Sequence, residues 1–173
     1  LELNFEPAVT LYQRVVEEHT TLRFDEHDFF DIAKTFPFGL ARLDDSVLIR
    51  DPIKVEGQGL ICAGDIPDNT MLYIMQGDAE KLISAASGAV KNTISNVATS
   101  GSVSDGILFD CVSRQLFLQD EFSIELNQIH AELTEPYRVV GALVLGEIAL
   151  DENGILSLHN KTAVTALARA QSE

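Results

Sequence analysis

The sequence predicts an α+β domain, in which a mixed, mainly antiparallel sheet packs against helices and follows an N-terminal pair of helices. Apolar residues recur at helical spacing in three parts of the chain. Short β-branched or aromatic segments separated by Gly, Pro, Asp and Asn lie between them. Two long apolar segments flank the sequence DENG near the C-terminus, which predicts a β-hairpin.

The N-terminal residues 1–35 predict two helices. Apolar residues recur at helical spacing after Pro7, a residue favoured in a first helical turn. For the second helix we expect Asp25 as the N-cap, with Asp28 at the capping-box position. Pro37 ends that helix.

The central part of the chain predicts strands followed by helices. Residues 46–76 contain three or four short strand segments, and Asp78 then caps a long helix. The strand GILFDCV, residues 106–112, follows the polar loop TSGSVSDG. Residues 118–133 carry apolar side chains at three- and four-residue steps, which predicts another helix that Pro136 closes.

The predicted hairpin has a register that depends on its turn. If Leu150 lies opposite Ile155, Glu147 lies opposite Leu158 and shares a sheet face with Asn160. A shift of one residue would place Glu147 and Asn160 on opposite faces.

Composition excludes several classes of partner. The chain has 173 residues, 46% of them hydrophobic, which fits one domain with its own core. Twelve basic and 27 acidic residues give a net charge of −15, and no run of Lys or Arg occurs. We therefore expect no nucleic acid partner. The longest apolar run is too short and too interrupted to insert into a membrane, and the histidines lack zinc-ligand spacing.

The two cysteines bear on the cellular compartment of the protein, and the first residue bears on whether it is part of a longer chain. Cys62 and Cys111 are far apart in apolar surroundings, which fits a reduced, cytoplasmic protein, although a single disulfide is an alternative. The chain begins at Leu1 rather than Met, so we expect it to be part of a longer protein.

The segment LFDCVSRQLFL, residues 108–118, is the most informative for chemistry. Asp110 and Cys111 are neighbours in a predicted strand and point to opposite faces. Cys111 is either a small core hydrophobe, a wall of a ligand pocket, or a nucleophile activated by a nearby base or cation. Arg114 lies where the strand gives way to a helix, and its planar guanidinium suits a carboxylate or phosphate. A surface ion pair is the alternative for Arg114.

Glu147 interrupts an otherwise apolar strand. An unpaired carboxylate buried there would cost several kcal/mol unless it is neutralised, hydrogen-bonded or matched to a cation. The alternative is an acid at a strand end that reaches solvent. Asn160 can supply a carboxamide beside it.

Seven segments in order resemble the C-terminal domain of the FIST family, whose name refers to F-box and intracellular signal transduction proteins. They are FPFGL, VLIRDPI, GLICAGDIP, GDAEKLISAA, ILFDCVSRQLFL, VVGALVLGEI and LHNKTAVTALA. The resemblance extends from residue 6 to the end of the chain. It implies an intracellular sensory module that lies beside signalling output domains and binds small ligands such as amino acids. The family pattern falls on Arg50, Asp51, Cys111, Arg114, Gly146, Glu147, His159, Asn160 and Thr162.

The chain departs from this pattern at several points. Asp110 stands where the family usually has a small residue or Ser, and Val112-Ser113 stand where a Gly often follows the Cys. The N-terminal half that usually accompanies the domain is missing, so a ligand site shared between the halves would be incomplete.

We expect residues 1–173 to form a single FIST C-like sensory domain, without cofactor or metal and not an enzyme. Its expected partners are a small-molecule ligand and a signalling output domain or partner protein. In the expected pocket, Arg114 takes the carboxylate of an amino acid and Glu147 takes its ammonium. The residues that we expect in the ligand site are Cys111, Arg114, Glu147, His159, Asn160, Arg50 and Gly146.

Two other functions are open. In a protein-interaction or dimerisation module, the sheet edges and leading helices would form the contact surface. In a cysteine-dependent enzyme, Cys111 would be the nucleophile, His159 the base and Arg114 the anion holder. The predicted hairpin register weakens this second alternative, because it turns His159 away from Glu147.

Overall fold

The structure is a computed structural model that describes residues 2–97, 103–134, 137–150 and 154–169. The chain divides into two compact units, Leu1–Gly77 and Asp78–Glu173. Both units combine helices with mainly antiparallel strands, which confirms the predicted α+β class.

The first unit is built from short strands and two helices among its described residues. Antiparallel pairing joins β1 to β2 and β5 to β6, and β3 lies between β4 and β7. These elements are β1 (Glu2–Leu3), β2 (Glu6–Pro7), α1 (Ala8–His19), α2 (Phe29–Ala33), β3 (Phe38–Ala41), β4 (Val47–Arg50), β5 (Pro52–Glu56), β6 (Gly59–Cys62) and β7 (Leu72–Ile74).

The leading helices form where the sequence predicts them, with one difference at the second. Helix α1 starts directly after Pro7. The expectation that Asp25 caps α2 is wrong, because the N-cap is Asp28. Asp25 instead lies in a turn that the Glu26 N–H closes on the Arg23 carbonyl, at 3.2 Å between N and O.

Tyr12 of α1 is the centre of the core of the first unit. Its ring lies 5.3 Å from that of Phe38 and 5.9 Å from those of Phe24 and Phe29, measured between centroids. Its hydroxyl donates to the Phe36 carbonyl oxygen at 2.7 Å, so the buried polar atom is satisfied.

The second unit contains a three-stranded mixed sheet and a separate hairpin. Strand β8 lies in the middle of the sheet, antiparallel to β12 and parallel to β9, and β10 pairs with β11. The elements are α3 (Ala79–Val97), β8 (Val103–Cys111), α4 (Val112–Leu118), a 3₁₀ helix (Gln119–Glu121), α5 (Phe122–Glu132), β9 (Arg138–Val144), β10 (Glu147–Leu150), β11 (Leu156–His159) and β12 (Ala163–Arg169).

The helix predicted over residues 118–133 begins later than expected. Gln119 has φ 50°, so the chain ends α4, passes through the 3₁₀ helix and starts α5 at Phe122. The first four residues of the loop TSGSVSDG, the first three residues of DENG, and Pro136 lie outside the described residues. The last four residues of TSGSVSDG, expected to be loop, are the start of β8.

Alternation along β8 sends its side chains to two different environments. Leu108 packs against Ala86 and Val90 of α3 and Ile129 of α5. Phe109 is part of the opposite face, and more than a third of its surface is exposed. Asp110 therefore shares the helix-covered side of the strand with Leu108.

The hairpin has a register one residue away from the predicted one. Leu150 pairs with Leu156 rather than Ile155, and Glu147 pairs with His159 rather than Leu158. The connection between the paired residues 150 and 156 is therefore five residues long, with Gly154 at φ 75°. The expectation that His159 turns away from Glu147 is wrong, because directly paired residues share a face of an antiparallel ladder.

Within the part of the chain that the structure describes, no helix has both the length and the apolar character that crossing a membrane requires.

Candidate functional site

Strand β8 ends beside the loop that joins β11 to β12. The Cys111 N–H donates to the Thr162 carbonyl oxygen at 3.1 Å. The Thr162 hydroxyl in turn donates to Oε2 of Glu147 at 2.6 Å, and the Thr162 N–H lies 3.4 Å from the same oxygen. Thr162 therefore connects the first residue of β10 to the last residue of β8.

The Cys111 side chain is enclosed at this junction. Only 1% of Cys111 is exposed, and its Sγ lies 3.2 Å from Oγ of Ser113. Burial raises the pKa of the Cys111 thiol, and hydrogen bonding with Ser113 offsets part of that rise. Cys111 is therefore held as a thiol at neutral pH. Cys62 in the first unit is also a free thiol.

Glu147 is buried at the start of β10. Burial raises the pKa of its carboxyl group, while hydrogen bonds from Thr162 and Cys111 and the charge of Arg114 lower it. Its Oε1 atom has no hydrogen-bond partner among the described residues. The acid therefore does not reach solvent from a strand end.

Two neighbours of Glu147 also carry buried polar atoms. In the described part of the chain, Oδ1 of Asn160 and Nε2 of His159 have no hydrogen-bond partner. A Cβ atom at Gly146 would lie 3.4 Å from Nδ2 of Asn160 and 3.0 Å from Leu158, so the small residue permits this approach. His159 therefore shares a face of the hairpin with Glu147, whereas Asn160 lies beside Gly146. The expectation that Glu147 and Asn160 share a face rested on the Leu150–Ile155 register, which is wrong.

Arg114 makes a different set of contacts from those that the sequence suggested. Its side chain is 2% exposed, and it pairs with Asp110, with Nε 3.2 Å from Oδ1, and with Glu125. It also donates to the carbonyl oxygens of Leu82 at 2.8 Å and Lys161 at 3.1 Å. Arg114 is thus a buried cation bound to protein groups, and a surface ion pair does not describe it.

Glu125 is the residue of this cluster that the sequence analysis missed. It lies on α5, completely buried, and shares the guanidinium of Arg114 with Asp110. A signal was present, because Glu125 lies three residues after Phe122 and four before Ile129, on the apolar stripe of the helix. An acid on such a stripe needs a buried partner.

The carboxyl group of Asp110 has a strongly raised pKa. Burial and the charge of Glu125 raise its pKa and the guanidinium of Arg114 lowers it, with a net rise to about 7. Arg114 neutralises Oδ1 in part, and a hydrogen bond between the carboxyl groups of Asp110 and Glu125 also raises the pKa of Asp110. Two carboxyl groups therefore share one guanidinium inside the protein.

A cavity of about 380 Å³ lies beside Asp110. It is bounded by α5 and by strands β8 and β9, and most of the side chains that line it are aliphatic or aromatic. Among the described residues that line it, His130 is the other ionisable one, at an exposed position.

Arg50 belongs to the first unit. Its Nε donates to the Asp65 carbonyl oxygen at 3.0 Å, and its Nη1 donates to the Ile49 carbonyl oxygen at 2.8 Å. Burial lowers the pKa of Arg50. The next residue in the sequence, Asp51, is also buried. The structure therefore brings together Cys111, Arg114, Glu147 and Thr162 in the second unit. His159 pairs with Glu147, Asn160 lies beside Gly146, and Arg50 has its contacts in the first unit.

Among the described residues, no group of three or more His, Cys, Asp or Glu side chains is arranged to hold a metal ion.

Comparison with known proteins gives one result. A model of the FIST C domain family matches residues 8–150. That range includes Cys111, Arg114 and Glu147, and it ends before His159 and Asn160. No curated protein and no solved structure matches the chain.

Proposed function

Because the chain belongs to the FIST C domain family, we propose that it binds a small ligand through the cluster at the end of β8. FIST C domains are sensory domains associated with signal transduction. We further propose that the ligand is an amino acid, that the sensing protein acts in the cytoplasm, and that binding is relayed to a signalling output domain or partner protein.

The observation that carries this proposal is the unpartnered, buried carboxylate oxygen of Glu147, and we propose that the carboxamide oxygen of Asn160 is a second acceptor. Oε1 of Glu147 and Oδ1 of Asn160 lack partners among the described residues. An unsatisfied buried polar group costs about 1–3 kcal/mol, so such atoms are usually occupied. An ammonium group offers three donors and one positive charge, which would satisfy both oxygens and favour ionised Glu147.

The proposed role of Arg114 is to position groups and to supply positive potential. Its guanidinium donates to two carbonyl oxygens and two carboxyl groups of the protein. The carboxylate of the ligand would instead accept from Nε2 of His159, which pairs across the hairpin from Glu147. This assignment needs the tautomer of His159 that carries the proton on Nε2.

Chemistry at Cys111 favours ligand binding over a cysteine-dependent enzyme. A nucleophilic cysteine requires a lowered pKa and access to its substrate. Burial raises the pKa of Cys111 and encloses the side chain. We propose that Cys111 forms a wall of the site and donates a weak hydrogen bond to Glu147.

The test compares ligands that differ only at the ammonium. Melting temperature and isothermal titration would be measured with each common amino acid, its N-acetyl derivative and its methyl ester. We expect at least one free amino acid to bind and its N-acetyl derivative to bind ten- to a hundredfold more weakly, the value of a charge-assisted hydrogen bond. Equal binding of the free and acetylated forms, or no binding by any amino acid, would overturn the proposal.

A second candidate function is a protein-interaction module, and the β10–β11 hairpin favours it. Its two cross-strand pairs Ile148 with Leu158 and Leu150 with Leu156 are between 38% and 69% exposed. The opposite face of the hairpin carries the buried Glu147. An apolar outer face is typical of contact surfaces. The polar replacement Ile148→Ser should abolish a partner contact there and leave amino acid binding unchanged.

A further inference from the structure

We infer that the cavity beneath α5 is a separate binding site for an organic cation with an apolar body, specifically a primary amine, with Asp110 as its anionic contact. The cavity lies on the other face of β8 from Cys111, because Asp110 and Cys111 are consecutive in the strand and point to opposite sides, although the charge of Glu147 acts on Asp110. It does not depend on the function proposed above.

The cavity has the dimensions and walls of a small-molecule site. Its volume of about 380 Å³ lies within the roughly 300–1,000 Å³ that ligand pockets occupy. Its apolar wall can bury a chain or ring of the ligand and so supply the hydrophobic part of the affinity. That wall includes Leu108, Phe122, Leu126, Ile129, Leu133 and Val139.

Asp110 gives this apolar cavity one anionic group. The residue is 3% exposed, and its Oδ2 atom has no hydrogen-bond partner among the residues that the structure describes. Nε of Arg114 lies 3.2 Å from Oδ1, and its guanidinium is shared with the completely buried Glu125. The aspartate therefore offers an acceptor oxygen in the wall of the cavity.

The charge balance selects a cation as the ligand. Asp110 and Glu125 together carry two negative charges when ionised, and the guanidinium between them carries one positive charge. A buried surplus of one negative charge is unfavourable unless a proton or a cation compensates it. An ammonium would compensate it and use Oδ2, whereas a ligand carboxylate would add repulsion. A neutral alcohol could donate to Oδ2 but would leave the surplus charge.

The groups that face Asp110 define how binding depends on pH. They are Arg114 of α4, Glu125 of α5, Glu147 of β10 and His130 at the rim. Burial raises the pKa of Asp110 to about 7, so the carboxyl group becomes protonated as the pH falls below that value. Affinity for an amine should therefore increase from pH 6 to pH 8.

The first measurement compares three probes of equal length on the 173-residue chain. Hexylamine, hexanol and hexanoate would be titrated at pH 8 and physiological salt, with binding followed by calorimetry and by methyl NMR of leucine and isoleucine. We expect hexylamine to bind at least tenfold more tightly than hexanol, and hexanoate to bind most weakly. Hexylamine that binds no better than hexanol would overturn the inference.

Matched variants then locate the site. Asp110→Asn should remove the preference for hexylamine over hexanol, whereas Asp105→Asn, which removes an exposed acid from the same strand, should retain it. Leu126→Ala should weaken hexylamine binding several-fold, and the control Leu116→Ala, an exposed leucine outside the cavity wall, should not. A folded Asp110→Asn protein that keeps the preference would overturn the inference. If Asp110→Asn fails to fold, equal affinities for the two leucine variants would do so.

Discussion

Arg114 and Glu125 form a buried ion pair that joins the start of α4 to α5. Arg114 also reaches the carbonyl oxygens of Leu82 and Lys161, so one side chain connects α3, α5 and the β11–β12 loop. A buried charge with this many partners fixes the relative positions of the segments that it contacts. That arrangement holds the end of β8 in place.

Removing the guanidinium should destabilise the protein more than removing its partner on α5. Arg114→Met leaves the carboxyl groups of Asp110 and Glu125 buried without a cation, so we expect a loss of about 3–5 kcal/mol in the free energy of unfolding. Glu125→Gln should cost less, because Asp110 then remains as the single partner of Arg114. Urea denaturation checks the order.

The exposed pair of Arg138 with Asp105 provides the control for these variants. Arg138→Met should change the free energy of unfolding little, because exposed ion pairs contribute little. An Arg114→Met protein as stable as the Arg138→Met protein would contradict the role that we assign to Arg114.

The Asp110 carboxyl group should make stability depend on pH in a specific direction. Its folded-state pKa is raised from 3.8 to about 7, so between these values the native state holds more protons than the unfolded state. The free energy of unfolding should therefore fall, through this group, as the pH rises from about 4 to about 7. Asp110→Asn removes that contribution.

The measurement is urea denaturation of both proteins at pH 5 and pH 8. The stability of the original chain relative to Asp110→Asn should be lower at pH 8 than at pH 5. A relative stability that is constant, or that increases with pH, would show that Asp110 is not shifted upward.

Local patterns in the sequence account for much of the fold and for part of the site. The apolar stripe of α3 and the change from β8 to α4 immediately before Arg114 follow from side-chain spacing. The hairpin register does not, because it depends on the length of the turn and one added residue shifts every pair. The pairing of Glu125 with Arg114 could not be predicted from side-chain spacing either, because it depends on how two segments eleven residues apart pack together. Asp25 and Asp28 both suit an N-cap, and only the observed turn distinguishes them.

Cys111 should react slowly with alkylating reagents in the native protein. Burial shields its thiol and raises its pKa, so the reactive thiolate is scarce at neutral pH. Cys62, which is partly exposed, provides an internal comparison, although burial raises its pKa to about 11. Iodoacetamide labelling followed by peptide mass spectrometry, with and without urea, measures both. Rapid and complete native labelling of Cys111 would instead support a cysteine-dependent enzyme.

Replacement of Glu147 by Gln separates ligand binding from stability. Gln keeps the volume of the side chain and an oxygen that can accept from the Thr162 hydroxyl, while the buried negative charge is removed. Because burial already disfavours that charge, we expect the free energy of unfolding to stay constant or to rise slightly. Affinity for an amino acid should fall roughly ten- to a hundredfold, since the ammonium loses a charge-assisted hydrogen bond.

A structural role for Glu147 gives the opposite pattern. If Glu147 mainly held Arg114 in place, Glu147→Gln would leave a buried cation poorly compensated and would destabilise the protein by about 3–5 kcal/mol. The contacts argue against this, because Arg114 pairs with Asp110 and Glu125. Denaturation and calorimetry on one Glu147→Gln preparation, beside the exposed control Glu80→Gln on α3, measure both quantities. The control makes the same chemical change at an exposed position. A large loss of stability in Glu147→Gln alone, with unchanged affinity in its folded fraction, would remove Glu147 from the proposed ligand site.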